Sequence, residues 1–261
     1  GGLAGSAAGV VAPRAHGGLA PLPDPSRSWA LVTGAASGLG QALADACLRA
    51  GFGVILTELR REGAVLEEFA SSLRRKRGPS ARVVTMPGDL QDPSEGAEML
   101  HQLIKSGGYD VAILLVTSDQ AAFTGQFLTQ APDNLDRMLA LNVGATSALC
   151  RLFGADMLAA GRGRIMLVGA PQGAGPGIPG ASAFAGSMAF VRALADGLRQ
   201  EWAPAGVGVS CLETAGLGRI TSLPEALAST CVSFLAPPDE RRLPAPAAPA
   251  AEGLPALPAP P

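Results

Sequence analysis

Three glycines close together, Gly34, Gly38 and Gly40 in the run Thr33-Gly34-Ala35-Ala36-Ser37-Gly38-Leu39-Gly40, are the residues of this chain best suited to chemistry at a phosphate. Phosphate binding needs a sharp strand-to-helix turn whose backbone N–H groups face the anion, with no side chain blocking the approach. Ser37 and Leu39 share that turn. The flanks agree with it: Trp29-Ala30-Leu31-Val32 reads as a strand directly before, and Gln41 to Ala50 as a helix directly after. Glu58 ends the next apolar run, about 20 residues on, where a carboxylate can accept hydrogen bonds from ribose hydroxyls. The expected ligand is a dinucleotide, NAD or NADP. Glu58 would repel a 2′-phosphate and favours NAD, whereas Arg60 and Arg61 could bind one, or could simply start a solvated helix.

A turn of this kind works only when a sheet presents it. Short aliphatic runs alternate with longer amphipathic stretches, a βαβ rhythm that implies a parallel sheet covered by helices on both faces. Strands are expected at Ala30 to Thr33, Val54 to Glu58, Arg82 to Met86, Val111 to Val116, Arg164 to Val168 and Val207 to Leu212. Helices are expected near 38–50, 62–76, 93–106, 133–160, 183–203 and 222–236. Val111-Ala112-Ile113-Leu114-Leu115-Val116 is apolar without alternation, as a central strand buried on both faces should be. The division is a low-complexity extension over 1–28, one α/β domain over 29–236, and a Pro/Ala-rich tail over 237–261. No internal repeat is evident.

The glycine run, Asn142-Val143-Gly144, and the segment from Gly163-Arg164-Ile165 through Val191 together resemble the short-chain dehydrogenase/reductase family over roughly residues 29–236. The resemblance implies a Rossmann-type, three-layer, doubly wound sheet of strand order 3-2-1-4-5-6. It also places Asp89-Leu90 at the adenine. Where the family carries Asn-Asn-Ala-Gly after the fourth strand, this register gives Leu114-Leu115-Val116-Thr117, so bulk replaces space beside the cofactor. After the sixth strand the family's Pro-Gly becomes Thr214-Ala215-Gly216.

In that family a Tyr donates a proton, a Lys lowers its pKa and holds the nicotinamide ribose, a Ser polarises the carbonyl, and an Asn supports a water relay. Asn142 matches the Asn. The serine position falls on Gly169 or Ala170, the tyrosine on Phe184 and the lysine on Met188. Phe and Met fill similar volume but cannot move a proton or bear charge. Tyr109 is the chain's single tyrosine, and Lys76 and Lys105 its two lysines; all three belong to elements leading away from the cofactor edge. Asn142 is then expected to keep a structural role, bonding across a helix kink.

Composition narrows the rest. With 261 residues, 48% of them hydrophobic, the chain can bury the core of one such domain. Twenty basic and 22 acidic residues give net charge −2 and no basic stripe for nucleic acid; the run Arg74-Arg75-Lys76-Arg77 reads as a solvated helix end. Cys47, Cys150, Cys211 and Cys231 are widely spaced, so neither a metal site nor a disulfide framework is expected. The stretch Ile165 to Val191 is too broken by Gly and Pro to be a membrane helix, and no integral membrane protein is expected. Opening on Gly1-Gly2-Leu3 without an initiator Met reads as a processed or trimmed chain, with a lean toward a plastid or mitochondrion and otherwise the cytoplasm.

The family's lid and seventh strand find no counterpart, since the chain passes from Gly216 through Pro224 to Ala236 into the proline tail. Val207 to Leu212 would then be an exposed apolar edge, which soluble proteins cover. That points to a protein partner there, and a membrane-associated complex is compatible. The reading from sequence is a catalytically degenerate family member serving as a structural or regulatory subunit, with bound NAD or NADP allowed. The alternatives are a working NAD(P)-dependent oxidoreductase with an unusual proton donor, and a dinucleotide sensor.

Overall fold

In the computed structural model the described residues are 21–58, 62–117, 125–170, 177 and 179–213. Arg60 and Arg61, the segment after Glu213 with its expected helix 222–236, and most of both tails lie outside them.

The elements run β1 (Trp29–Val32), α1 (Gly38–Arg49), β2 (Gly53–Leu56), α2 (Gly63–Arg77), β3 (Val83–Thr85), α3 (Glu95–Ser106) and β4 (Val111–Val116), then α4 (Pro132–Leu139), α5 (Thr146–Ala160), β5 (Gly163–Gly169), α6 (Ser182–Trp202) and β6 (Val207–Glu213). All strand pairs are parallel, in the order β3-β2-β1-β4-β5-β6. The doubly wound sheet expected from sequence is therefore present.

Alternation along the strands builds two cores, one on each face. Ala30, Val32, Leu115, Met166 and Val168 face one cluster, with α1 and α2 supplying Leu43, Cys47, Leu66 and Leu73. Leu31, Leu114, Val116, Ile165 and Leu167 face the other, with Leu100, Leu149, Phe153 and Met188 from α3, α5 and α6. Leu114 and Leu115, expected to crowd the cofactor, are thus spent in the two cores, because they still lie within β4.

Two more expectations change. The helix foreseen at 133–160 follows one path over Pro132–Ala160 but passes through a π-helical turn at Ala140–Ala145 that separates α4 from α5. By length and apolarity alone this path could cross a membrane, although its inward residues pack in the second core. Among the described residues β6 is the outer strand, yet Val207, Val209 and Leu212 are fully buried. Its side chains are covered by α6 and by the cores, so the edge is one of backbone rather than of apolar side chains.

The corner where α1 and α2 end is held by charge. Arg77 Nε donates to Asp45 Oδ1 at 2.7 Å, with Lys76 at 3.3 Å and Arg49 at 3.9 Å from Oδ2. Burial disfavours the Asp45 carboxylate, but the hydrogen bonds from Arg77 and Lys76 outweigh it and hold its pKa below the ordinary value. A carboxyl lowered in the folded state adds stability above its unfolded pKa, near 4, and loses it as pH falls through the folded value. Asp45→Asn should therefore lower stability at neutral pH and flatten the acid limb of a denaturation profile. An unchanged acid limb would show that this corner contributes nothing.

Candidate active site

The turn after β1 is built by its own side chains. Ser37 caps α1: its hydroxyl donates to Gly34 O at 2.7 Å and accepts from Gly40 N–H at 3.0 Å. Gly34 has φ +57°, the left-handed region that glycine enters without cost, and a Cβ there would overlap the Thr117 carbonyl. At Gly40 a Cβ would overlap the Gly34 carbonyl, so this glycine permits the close turn. Ala35 N–H is taken by Thr57 O at 3.2 Å and Ser37 N–H by Gly34 O at 3.1 Å. The amides of Gly38 and Leu39, the first two of α1, take no partner among the described residues. Two unpaired donors at the positive end of a helix are what a diphosphate requires.

This turn stands at the C-terminal ends of β1 and β4, where the strand order reverses and open α/β sheets take their ligands. A cleft of about 40 Å³ lies there, lined by Gly34, Glu58, Gly88, Leu90, Thr117 and Leu141 among others. Glu58 is 8% exposed, and its Oε2 accepts from Ala36 N–H at 3.2 Å. The carboxylate foreseen at the ribose thus also closes the glycine turn. Leu90 lines the cleft, whereas exposed Asp89 caps its own turn by accepting from Gln91 N–H at 2.9 Å. A larger cavity of about 450 Å³ lies at the opposite edge, lined by Tyr109, Asp110 and Arg162, away from the strand ends that carry the turn.

Where the resemblance expects the acid-base pair, this chain carries a hydrocarbon and a thioether. Phe184 and Met188, on successive turns of α6, are 2% and 0% exposed, and Ala170 after β5 is 3% exposed. All three belong to the second core. Asn142, in the π turn, donates from Nδ2 to Ser187 Oγ at 3.0 Å, and Ser187 Oγ donates to Phe184 O at 2.8 Å. Asn142 therefore ties the bulged helix to α6. Sequence reasoning missed Ser187 as its partner, because 45 residues separate them and no local pattern marks the pair.

Other reactive side chains are engaged elsewhere. His101 Nε2 and Lys105 Nζ both meet Asp156, at 2.8 and 3.0 Å, and Tyr109 packs edge-on against Trp29. Burial pushes the Cys150 and Cys211 thiols up to about 12, so neither is a thiolate at neutral pH. Cys211 also shapes the site, for its Sγ would lie 2.8 Å from a Cβ on Gly169. A serine at 169 would require the Cys211 thiol to shift.

The family description short chain dehydrogenase matches residues 28–227. The chain belongs to that family. It is 31% identical over 183 residues to a very-long-chain 3-oxoacyl-CoA reductase of Pyricularia oryzae, covering 70% of this chain and 54% of that protein. It thus spans about half the length of such relatives. Among solved structures, a short-chain dehydrogenase from Sphingobium yanoikuyae in complex with NADPH shares 27% identity at a TM-score of 0.64, covering 70% and 69% of the two chains. An NADPH-bound short-chain oxidoreductase of Pseudomonas aeruginosa PAO1, described as containing an atypical catalytic center, shares 25% at a TM-score of 0.63, covering 71% and 70%.

Proposed function

We propose that the chain is an NAD(P)-dependent oxidoreductase that passes hydride from a dinucleotide in the β1–β4 crevice to a carbonyl carbon, the carbonyl oxygen taking its proton from water or from another group of the substrate; in the reverse direction the alcohol would release that proton to water. The observation that carries this reading is the glycine turn, with the Gly38 and Leu39 amides unpaired among the described residues and glycines at 34 and 40 that permit its tight path. When bound, the nicotinamide would supply the hydride. This chain's own residues would hold the diphosphate at the head of α1 and line the adenosine with Leu90. The similarity to reductases and dehydrogenases supports the oxidoreductase reading over the structural-subunit reading. The named relatives make a long-chain 3-oxoacyl thioester the first substrate to test.

One observation favours a second reading, a degenerate subunit: the Tyr and Lys positions hold buried Phe184 and Met188. The two readings separate in one assay. Purified chain is mixed with NADH or NADPH and a panel of 3-oxoacyl thioesters and ketones, and loss of nicotinamide fluorescence is followed. Turnover supports the oxidoreductase; dinucleotide binding without turnover supports the subunit.

Glu58 predicts the cofactor. Its carboxylate at the ribose end of the cleft would face the extra phosphate of NADP, so NADH should bind more tightly than NADPH. Glu58→Gln should improve NADPH binding by about tenfold, equivalent to roughly 1.4 kcal/mol, and leave NADH within a few-fold. Equal affinities in the parent chain would remove Glu58 from cofactor choice.

A further inference from the structure

We infer that the cavity between the C-terminal ends of α3 and α5 is a binding site for an organic ammonium ion, with its apolar body in the cavity and its charge at Asp110. The site is separate from the dinucleotide crevice, and it stands whether or not a dinucleotide binds there.

Both helices end at this cavity, and backbone amides cap them. Gly107 N–H donates to Leu103 O at 3.0 Å and Tyr109 N–H to Ile104 O at 3.2 Å. Gly161, at φ +65°, lets its own N–H reach Leu158 O and Arg162 N–H reach Met157 O, each at 3.1 Å. The last two carbonyls of α5, Ala159 O and Ala160 O, accept no hydrogen bond among the described residues, and both residues line the cavity. Its other walls include hydrocarbon from Ile104, Phe153 and Met157, all buried. Tyr109 forms a fixed wall: its ring stands edge-on to Trp29 at 4.8 Å and lies against Gly107, where a Cβ would overlap it. The space of about 450 Å³ falls in the range of roughly 300–1,000 Å³ that holds small organic ligands.

The charge of the lining selects the ligand. Lys105 meets Asp156 at 3.0 Å and Arg162 meets Asp110 at 3.2 Å, so the formal charges of these four residues cancel. What remains is the field of two helix C-termini, each equivalent to about half an elementary negative charge. That field favours a cation and opposes an anion, although Lys105 and Arg162 keep spare N–H groups. The two carboxylates differ in what they still offer. Asp156 spends one oxygen on His101 and the other on Lys105. Asp110 spends only Oδ2, on Arg162, and its Oδ1 has no partner among the described residues. The Asp110 side chain is about half exposed, so an ammonium reaches Oδ1 without displacing either ion pair. An amine of the size of benzylamine satisfies these groups together, with hydrocarbon on Phe153 and Met157 and the charge on Asp110.

The full chain is titrated by calorimetry at neutral pH with benzylamine, benzyl alcohol and benzoate, probes of nearly one shape and different charge. Benzylamine should bind at least about tenfold more tightly than benzyl alcohol, and benzoate should bind more weakly still. Asp110→Asn alters an exposed ion pair of small weight in stability. It should lower benzylamine affinity about tenfold and leave benzyl alcohol within about twofold. Ala159→Trp, at an exposed position of the lining, should abolish binding of both by filling the cavity, with thermal unfolding to verify folding. Should that variant prove unstable, Ala160→Trp carries the same expectation. Equal affinities for benzylamine and benzyl alcohol, or tighter binding of benzoate, would overturn the ammonium site. Benzylamine binding that survives both substitutions would overturn its placement in this cavity, and absence of benzylamine binding by the parent chain would overturn it outright.

Discussion

Phe184→Tyr combined with Met188→Lys is expected to raise kcat/KM for carbonyl reduction by about 10²- to 10⁴-fold, the usual contribution of a positioned proton donor. The two positions lie on successive turns of α6 and pack into the same core, so a phenol and an ammonium placed there would be neighbours. The ammonium would favour the phenolate and bring the tyrosine closer to neutral pH. The pair should act as a unit. Phe184→Tyr alone gains a donor with an unadjusted pKa, and Met188→Lys alone buries a charge at a site that is 0% exposed, an arrangement that typically destabilises by about 3–5 kcal/mol. Steady-state kinetics across pH test this directly. A double variant that folds, binds NADH and turns over no faster than its parent would show that the residues at 184 and 188 are not what limits the reaction.

Gly34→Ala should cost about 1–3 kcal/mol from left-handed backbone alone, with further loss from the overlap of its Cβ with the Thr117 carbonyl. Relieving that overlap would shift the turn that carries the Gly38 and Leu39 amides. Dinucleotide affinity should therefore fall by at least about 10²-fold even under conditions where the chain remains folded. Gly186→Ala provides the contrast: Gly186 lies in α6, a Cβ there meets nothing within 4 Å, and the change should stabilise by about 0.5–1 kcal/mol. Denaturant unfolding and NADH titration of the two variants check both statements. Similar stabilities for Gly34→Ala and Gly186→Ala would refute the strained turn.

Asn142 links the π turn to α6. Its amide reaches Ser187 across the π turn, so the bulge that interrupts α4 and α5 also positions the helix bearing Phe184 and Met188. Such bulges are frequent at functional sites, and here the bulge remains although the side chains that would use it have changed. Phe184 and Met188 offer no proton from this helix, which is why the proposed reaction draws its proton from elsewhere.

What the sequence determined by itself is whatever short-range pattern controls. Alternating apolar runs defined the six strands and their helices, and glycine spacing with Ser37 at the head of α1 defined the phosphate turn, because these depend on neighbours within a few residues. The replacement of the acid-base pair was read from the family resemblance, which sets Phe184 and Met188 four residues apart on one helix. The tertiary structure alone decided where those features point. It sent Leu114 and Leu115 into opposite cores, drew Glu58 onto Ala36, paired Asn142 with Ser187, and set the Thr117 hydroxyl on Gly34 across 83 residues of chain. Each of these contacts joins segments distant in sequence, and burial of both faces of the sheet, rather than any local preference, brings them within hydrogen-bonding reach.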